Sequence, residues 1–100
     1  MYVAEFTLHA KPGHYGQVTD LYSAFVADFL STHPALESAV IVGDEGSGLV
    51  RGIGIWESKD AADSVNSEPE FAAFNDAIAP LLAVPADRVE LQLLHAFRRA

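Results

Sequence analysis

The sequence contains no cysteine, and this absence removes several kinds of chemistry at once. Disulfide bonds, thiol nucleophiles and cysteine-based metal centres are all excluded. Half of the 100 residues are hydrophobic, so the chain can form a core without covalent cross-links. We therefore expect a single domain that spans residues 1–100.

Basic residues are also scarce, since six Lys and Arg face fourteen Asp and Glu and give a net charge of −8. Such a surface repels phosphate backbones, and the few cations are scattered except for Arg98 and Arg99. Nucleic-acid binding is therefore not expected. The acidic excess is interpreted as an aid to solubility.

Long hydrophobic runs are missing as well. No uncharged apolar stretch approaches the roughly 18 residues that span a bilayer. The first residues lack a basic leader before an apolar run. The expectation is a soluble cytoplasmic protein with no membrane partner.

Four segments have the pattern of β-strands. Residues 2–10 alternate with period two, and Tyr2, Ala4, Phe6 and Leu8 share one side. A short strand at 39–42 is joined by a glycine-rich hairpin loop, 43–48, to a return strand at 49–57. A last alternating strand runs from Arg88 to Phe97, with apolar residues on one side: Val89, Leu91, Leu93 and Phe97.

Two regions have the pattern of helices. Between residues 18 and 30 apolar side chains recur every three or four positions, and His33-Pro34 ends the pattern. A second region has two pieces. Ser58 is predicted to cap the first piece, around 59–66, and Ser67 to cap the second, with Pro69 in its first turn and Glu70 completing a capping box.

The resulting order, βαββαβ, predicts an α+β ferredoxin-like domain. Its antiparallel sheet has the expected strand order 4-1-3-2, with both helices on one face. The other face still carries apolar residues, so we expect a homodimer that packs sheet against sheet. Glu5, Thr7, His9 and Arg51 share that face, where a buried charge pair between subunits is expected to fix their register.

Gly52 and Gly54 lie inside the third strand, where glycine weakens pairing and often marks close approach of another group. They share one side of the strand with Trp56. One interpretation is an apolar ligand cavity over the glycines. The other is that an aromatic side chain fills the space.

Several motifs together resemble the antibiotic-biosynthesis monooxygenase family of the dimeric α/β-barrel superfamily. They are Ala-Lys-Pro-Gly at 10–13, Ile-Trp-Glu-Ser-Lys-Asp-Ala-Ala at 55–62, Ser-Glu-Pro-Glu-Phe-Ala-Ala-Phe at 67–74 and Pro-Leu-Leu-Ala at 80–83. Each motif alone is weak, but their order and spacing cover nearly the whole chain.

The resemblance implies a homodimeric α/β barrel with a pocket between sheet and helices in each subunit. It favours the cavity interpretation, with substrate-binding residues Phe6, Tyr22, Phe25, Gly52, Gly54, Trp56 and Phe74. The implied function is a cofactor-independent monooxygenase acting on a small polycyclic phenol or hydroquinone. The alternative is a non-catalytic homodimer of the same fold that binds a small molecule.

The sequence departs from several patterns of the family. The haem-degrading members use an Asn, a Trp and a proximal His where this chain has Phe6, Val65 and Asn75. A haem iron would lack its axial ligand, so haem degradation is not expected. Histidines that other members carry near Val65 and Glu70 are absent. No catalytic base is therefore identified; Tyr22 is the candidate polar partner of a phenol, and core packing is its alternative role.

The four histidines do not suggest a metal site. His9 and His95 are predicted at opposite ends of the sheet, and His14 and His33 at the two ends of the first helix. None has the i, i+4 spacing of a helical ligand pair. We expect no metal and no cofactor, although one histidine could serve as a general base.

Overall fold

The computed structural model describes residues 1–99. Four strands form the sheet: β1 is Tyr2–His9, β2 is Leu36–Asp44, β3 is Leu49–Trp56 and β4 is Asp87–Gln92. Three helices cross it: α1 is Tyr15–Asp28, α2 is Lys59–Ser64 and α3 is Pro69–Ile78. Short 3-10 turns follow each helix, at Leu30–Thr32, Val65–Ser67 and Ala79–Leu81.

The sheet is open and antiparallel, with strand order β2-β3-β1-β4. This confirms the predicted α+β ferredoxin-like plan and its strand order. The alternation predicted for β1 is also confirmed, because Ala4, Phe6 and Leu8 are buried beneath the helices. Their partners on β3 are Gly54, Gly52 and Val50.

The predicted helix boundaries are partly confirmed. The Ser58 side chain accepts a hydrogen bond from the Ala61 amide and begins α2. The cap predicted at Ser67 is wrong: that residue lies in a 3-10 turn, and Glu68 is the N-cap of α3 without a side-chain cap. Pro69 explains the difference, because the residue before a proline is driven into the extended conformation that an N-cap adopts.

Two strand lengths also differ from expectation. β2 extends beyond 39–42 in both directions, with a register irregularity between Leu36 and Ser38. β4 was predicted to reach Phe97 but ends at Gln92. The last main-chain bond toward β1 runs from the Leu93 amide to the Met1 carbonyl, so the residues after 93 have no neighbouring strand in the described structure.

In β4 the charged residues Arg88 and Glu90 face the helices, and the apolar residues face the open side of the sheet. Phe6 pairs with Arg88 and Ala4 with Glu90, so the charged residues of β4 lie on the side of the helices. Val89 and Leu91 lie on the open face and are substantially exposed. The same face of β2 carries exposed Val40 and Val42. One side of the sheet is thus apolar and uncovered.

None of the helices in residues 1–99 has the length and apolar character that crossing a bilayer requires. A cytoplasmic location stays a prediction.

Candidate functional site

A small apolar cavity lies between the sheet and the helices, at the end of the sheet where β3 finishes. Its volume is about 40 Å³, enough for a few water molecules. Pockets for drug-sized ligands begin at roughly 300 Å³. Six of the seven predicted binding residues line it: Phe6, Tyr22, Phe25, Gly52, Gly54 and Trp56.

The two glycines of β3 form the floor of the cavity, but they serve different neighbours. A Cβ at residue 52 would overlap the Tyr22 hydroxyl, which stands directly over the glycine. A Cβ at residue 54 would lie 3.2 Å from Trp56 Nε1 and 3.4 Å from Leu36 Cδ1. The space at Gly52 is therefore filled by a helix side chain, as the packing interpretation expected, whereas the space at Gly54 is bordered by Trp56 and Leu36, which also line the cavity.

Aromatic rings form the inner wall. Phe6 meets the Tyr22 ring edge-on at 5.8 Å and the Phe71 ring at 5.4 Å. Phe74 does not line the cavity. It stacks on Phe25 at 4.3 Å between ring centroids and supports that wall from behind.

Tyr22 brings a polar group into these surroundings. The residue is 4% exposed, and no hydrogen bond of its hydroxyl occurs among residues 1–99. Among these residues, every fully buried side-chain polar atom has a hydrogen-bond partner. The unpaired Tyr22 hydroxyl is therefore not fully buried, and it faces the cavity that Tyr22 lines. Burial raises the pKa of Tyr22 well above its usual range, although Arg88 opposes the shift. The neutral phenol is thus a hydrogen-bond donor at ordinary pH, and not a base.

Trp56 closes the cavity at the end of β3. Its side chain is almost fully buried, and Nε1 is the atom nearest to the space above Gly54. Because indole nitrogen only donates, this atom suits a ligand oxygen. Trp56 and Tyr22 therefore place two donors in an otherwise apolar site.

Arg88 adds a positive charge to the lining and was not predicted from the sequence. It faces the helices as the β4 neighbour of Phe6, with a side chain only 12% exposed. Its guanidinium donates to Glu90 Oε2 at 2.7 Å, to Asn66 Oδ1 at 3.2 Å and to the Ala62 carbonyl at 3.0 Å. Three of the five N–H groups are thereby used.

The Glu90 carboxylate forms an ion pair with the Arg88 guanidinium. Burial raises the pKa of Glu90, and the Asp63 carboxylate raises it further, while Arg88 lowers it. Arg88 also lies 5.8 Å from the centre of the Phe71 ring, within cation–π range. The guanidinium is thus held in a fixed position beside an apolar cavity, where its remaining N–H groups can meet a ligand oxygen.

His33 connects the end of α1 with the start of α3, next to Trp56. Nδ1 lies 3.1 Å from the carbonyl oxygens of Phe29 and Leu30, and Nε2 lies 2.9 Å from Glu68 Oε1. Both nitrogens face acceptors, which favours the imidazolium. Burial alone would lower the pKa of His33, but Glu68 and the two carbonyls outweigh it and raise the pKa. The ring also meets Trp56 edge-on at 5.7 Å.

None of the three remaining histidines lines the cavity. His9 ends β1, and His14 precedes α1 and contacts Gln17. His95 follows β4 in an exposed segment. Within residues 1–99 no three His, Asp or Glu side chains come close enough to hold a metal ion.

The positions compared with the haem-degrading enzymes have structural roles here. Phe6 and Val65 are buried in the core, and Asn75 donates to the Phe71 carbonyl at 3.0 Å. None of the three offers a ligand to iron at the cavity.

The fold is shared with solved structures of antibiotic biosynthesis monooxygenases, as the sequence motifs predicted. A proposed enzyme of this kind from Deinococcus radiodurans has a TM-score of 0.83 at 16% identity, covering 100% of this chain and 99% of that one. A monooxygenase from the gene ActVA-Orf6 of Streptomyces coelicolor, solved with nanaomycin D, has a TM-score of 0.82 at 21% identity, covering 99% and 92%.

A protein of unknown function from Nitrosomonas europaea is also similar, with a TM-score of 0.79 at 17% identity, covering 99% of this chain and 94% of that one. Neither a protein-family model nor a curated protein matches the sequence. At these identities the likeness shows the fold, and the chemistry must be argued from the site.

The contact between Tyr22 and Gly52 makes a prediction about stability. Gly52→Ala must displace the tyrosine or lift α1, and we expect it to lower the free energy of unfolding by about 2 kcal/mol. Gly54→Ala is the matched control and should cost less than about 1 kcal/mol, because its nearest neighbours would lie at 3.2 and 3.4 Å and need to move only slightly. Urea unfolding measures both. If the two variants lose equal stability, the position of Tyr22 does not depend on the absence of a side chain at residue 52.

The His33–Glu68 pair predicts a pH dependence. Because the pKa of His33 is raised on folding, its contribution is fully present below the unfolded value near ~6.5 and is lost as the pH rises through the folded value. Glu68→Gln should therefore lower the free energy of unfolding by about 1 kcal/mol at roughly pH 5.5 and by much less at roughly pH 9.

Glu70→Gln is the control for that experiment, since it removes a charge from the same helix turn. It should change stability equally at the two pH values. A pH-independent loss for Glu68→Gln would contradict the assignment of His33 as an imidazolium.

Proposed function

We propose that this protein is a cofactor-independent monooxygenase for a small polycyclic phenol or hydroquinone. The observation that carries the proposal is an apolar cavity into which Tyr22, Trp56 and Arg88 bring donors or positive charge. An electron-rich phenol would bury its rings against the phenylalanines and direct its oxygen toward these groups.

The chemistry requires a substrate anion that reduces oxygen. Arg88 would stabilise the phenolate, and Tyr22 would donate to its oxygen, so that deprotonation becomes easier in the site. For an anthrone-type substrate, a proton passes to solvent water, the carbanion transfers an electron to O2, and the radical pair combines to a peroxide. The peroxide takes up a proton and loses water. One oxygen atom enters the substrate as a carbonyl, the other leaves as water, and the substrate supplies all the electrons.

The present cavity must enlarge before such a ligand can enter. The atoms that can yield are side chains of α1, chiefly Tyr22 and Phe25, because the floor is the main chain of β3. A rotation of Tyr22 away from Gly52 would join the space above both glycines. Closure behind the substrate would then exclude water from the reacting carbanion.

The fold supports this assignment, and one relative carries a relevant ligand. The Streptomyces coelicolor monooxygenase was solved with nanaomycin D, at 21% identity to this chain. The competing proposal is a non-catalytic homodimer that binds a small apolar molecule. It is favoured by the lack of any histidine in the cavity lining.

We also propose that the protein is a homodimer that packs through its open sheet face. Val40, Val42, Val89 and Leu91 are exposed on that face and form a patch that a second copy would bury. A two-fold symmetric contact allows one surface to cover itself.

Oxygen consumption tests the proposed reaction. With a panel of anthrones and polycyclic hydroquinones, and with no added metal, flavin or haem, we expect protein-dependent uptake of one O2 for each product molecule. One oxygen atom of that O2 should be in the product, and no hydrogen peroxide should accumulate. Arg88→Gln should lower kcat/KM by about 100-fold and Tyr22→Phe by about 10-fold. Arg98→Gln, in the exposed tail, is the control and should not change it.

Each variant should first be compared with the parent by thermal melting, so that loss of fold is not mistaken for loss of chemistry. Saturable binding without oxygen uptake for any compound would favour the non-catalytic alternative. Full activity in the Arg88→Gln variant would remove the guanidinium from the mechanism.

A further inference from the structure

Two charged residues stand in the middle of the uncovered apolar face. Glu5 lies on β1 between Ile53 and Val89 on the neighbouring strands. Arg51 lies on β3 between Thr7 and Val42. Both are half-buried, although no helix covers this side of the sheet.

Arg51 is held in place within its own chain. Its Nε donates to Thr7 Oγ1 at 3.1 Å. Among residues 1–99 its two terminal amino groups donate to no other group, and the three ion pairs found there involve neither Arg51 nor Glu5. The guanidinium is therefore oriented and keeps its outer edge available for a carboxylate.

The relative position of the two residues is self-complementary. Glu5 pairs with Ile53, and Arg51 is two residues before Ile53 on the same strand, so the two charges are diagonal neighbours about 7 Å apart. A two-fold axis between two such faces, bisecting that diagonal, places each carboxylate over the guanidinium of the other copy.

We propose that a second copy of this chain docks on the open face through two reciprocal ion pairs, each joining Glu5 to the partner's Arg51. The inference rests on the proposed sheet-to-sheet dimer and adds its register. A charge buried between two apolar sheets without a partner is strongly unfavourable. The ion pairs therefore select one alignment of the two sheets among those that packing of the valines and the leucine alone would permit.

Other carboxylates of the face are less suitable partners. Asp44 ends β2 and Asp87 begins β4, and both are exposed at the rim. They can remain hydrated after docking, whereas Glu5 on the central strand cannot. Arg51 is the one Lys or Arg in the strands on this face within residues 1–99.

A charge-swap series measured by sedimentation equilibrium tests the pairing. Glu5→Arg alone and Arg51→Glu alone each create two like-charge contacts, and each should raise the dimer Kd at least 100-fold. The double variant reverses both charges and should return the Kd to within about 10-fold of the parent. Asp87→Arg is the matched control at the rim and should change it less than about 3-fold.

The outcomes separate the two proposals. A parent protein that stays monomeric at all concentrations would overturn the dimer itself. A parent dimer that tolerates Glu5→Arg, or a double variant that stays as weak as the single ones, would overturn the pairing while leaving the dimer intact. If a reversal prevents folding, Glu5→Gln and Arg51→Gln replace it, and additive effects of those two variants would overturn the pairing equally.

Discussion

The contact between the Tyr22 hydroxyl and Gly52 is the constraint on which the site depends. Because β3 has no side chain at that position, α1 can rest its tyrosine on the main chain of the sheet. Phe71 and Phe74 of α3 then pack against Phe6 beside it, and Phe25 of α1 stacks on Phe74. Both residues of this contact line the cavity, so the tyrosine rotation proposed above would connect packing of the core with access of a ligand.

The alternation of β4 connects the cavity with the proposed subunit interface. Arg88 and Glu90 lie on the side of the helices, where Arg88 brings charge to the cavity lining, and Val89 and Leu91 lie on the open face. A shift of one residue in the register of this strand would exchange the two sets. Such a shift would bury Val89 and Leu91 under the helices and remove the Arg88 guanidinium from the site. It would also place charged side chains on the open face, where the proposed partner would pack.

Much of this arrangement could be predicted from the sequence, because periodicity fixes which residues share a side. The alternation of β1 and the glycines of β3 defined one side of the sheet, and the spacing of α1 put Tyr22 on the inner side of that helix. The family resemblance then favoured a cavity between them over simple packing. Arg88 was missed because it begins a strand whose apolar residues dominate the pattern. The His33–Glu68 pair was missed because 35 residues separate its members, and only the packing of α3 against the end of α1 brings them together.

Trp56 is the only tryptophan and lies in the cavity wall, so its fluorescence tests the central claim directly. We expect saturable quenching by a tricyclic hydroquinone, after correction for absorption. A single-ring hydroquinone should quench less, because it covers less of the apolar wall. Quenching that rises linearly and matches that of free tryptophan would contradict this expectation, because the ligand would then meet Trp56 only by collision. Saturable quenching by haem alone would contradict the proposed substrate class.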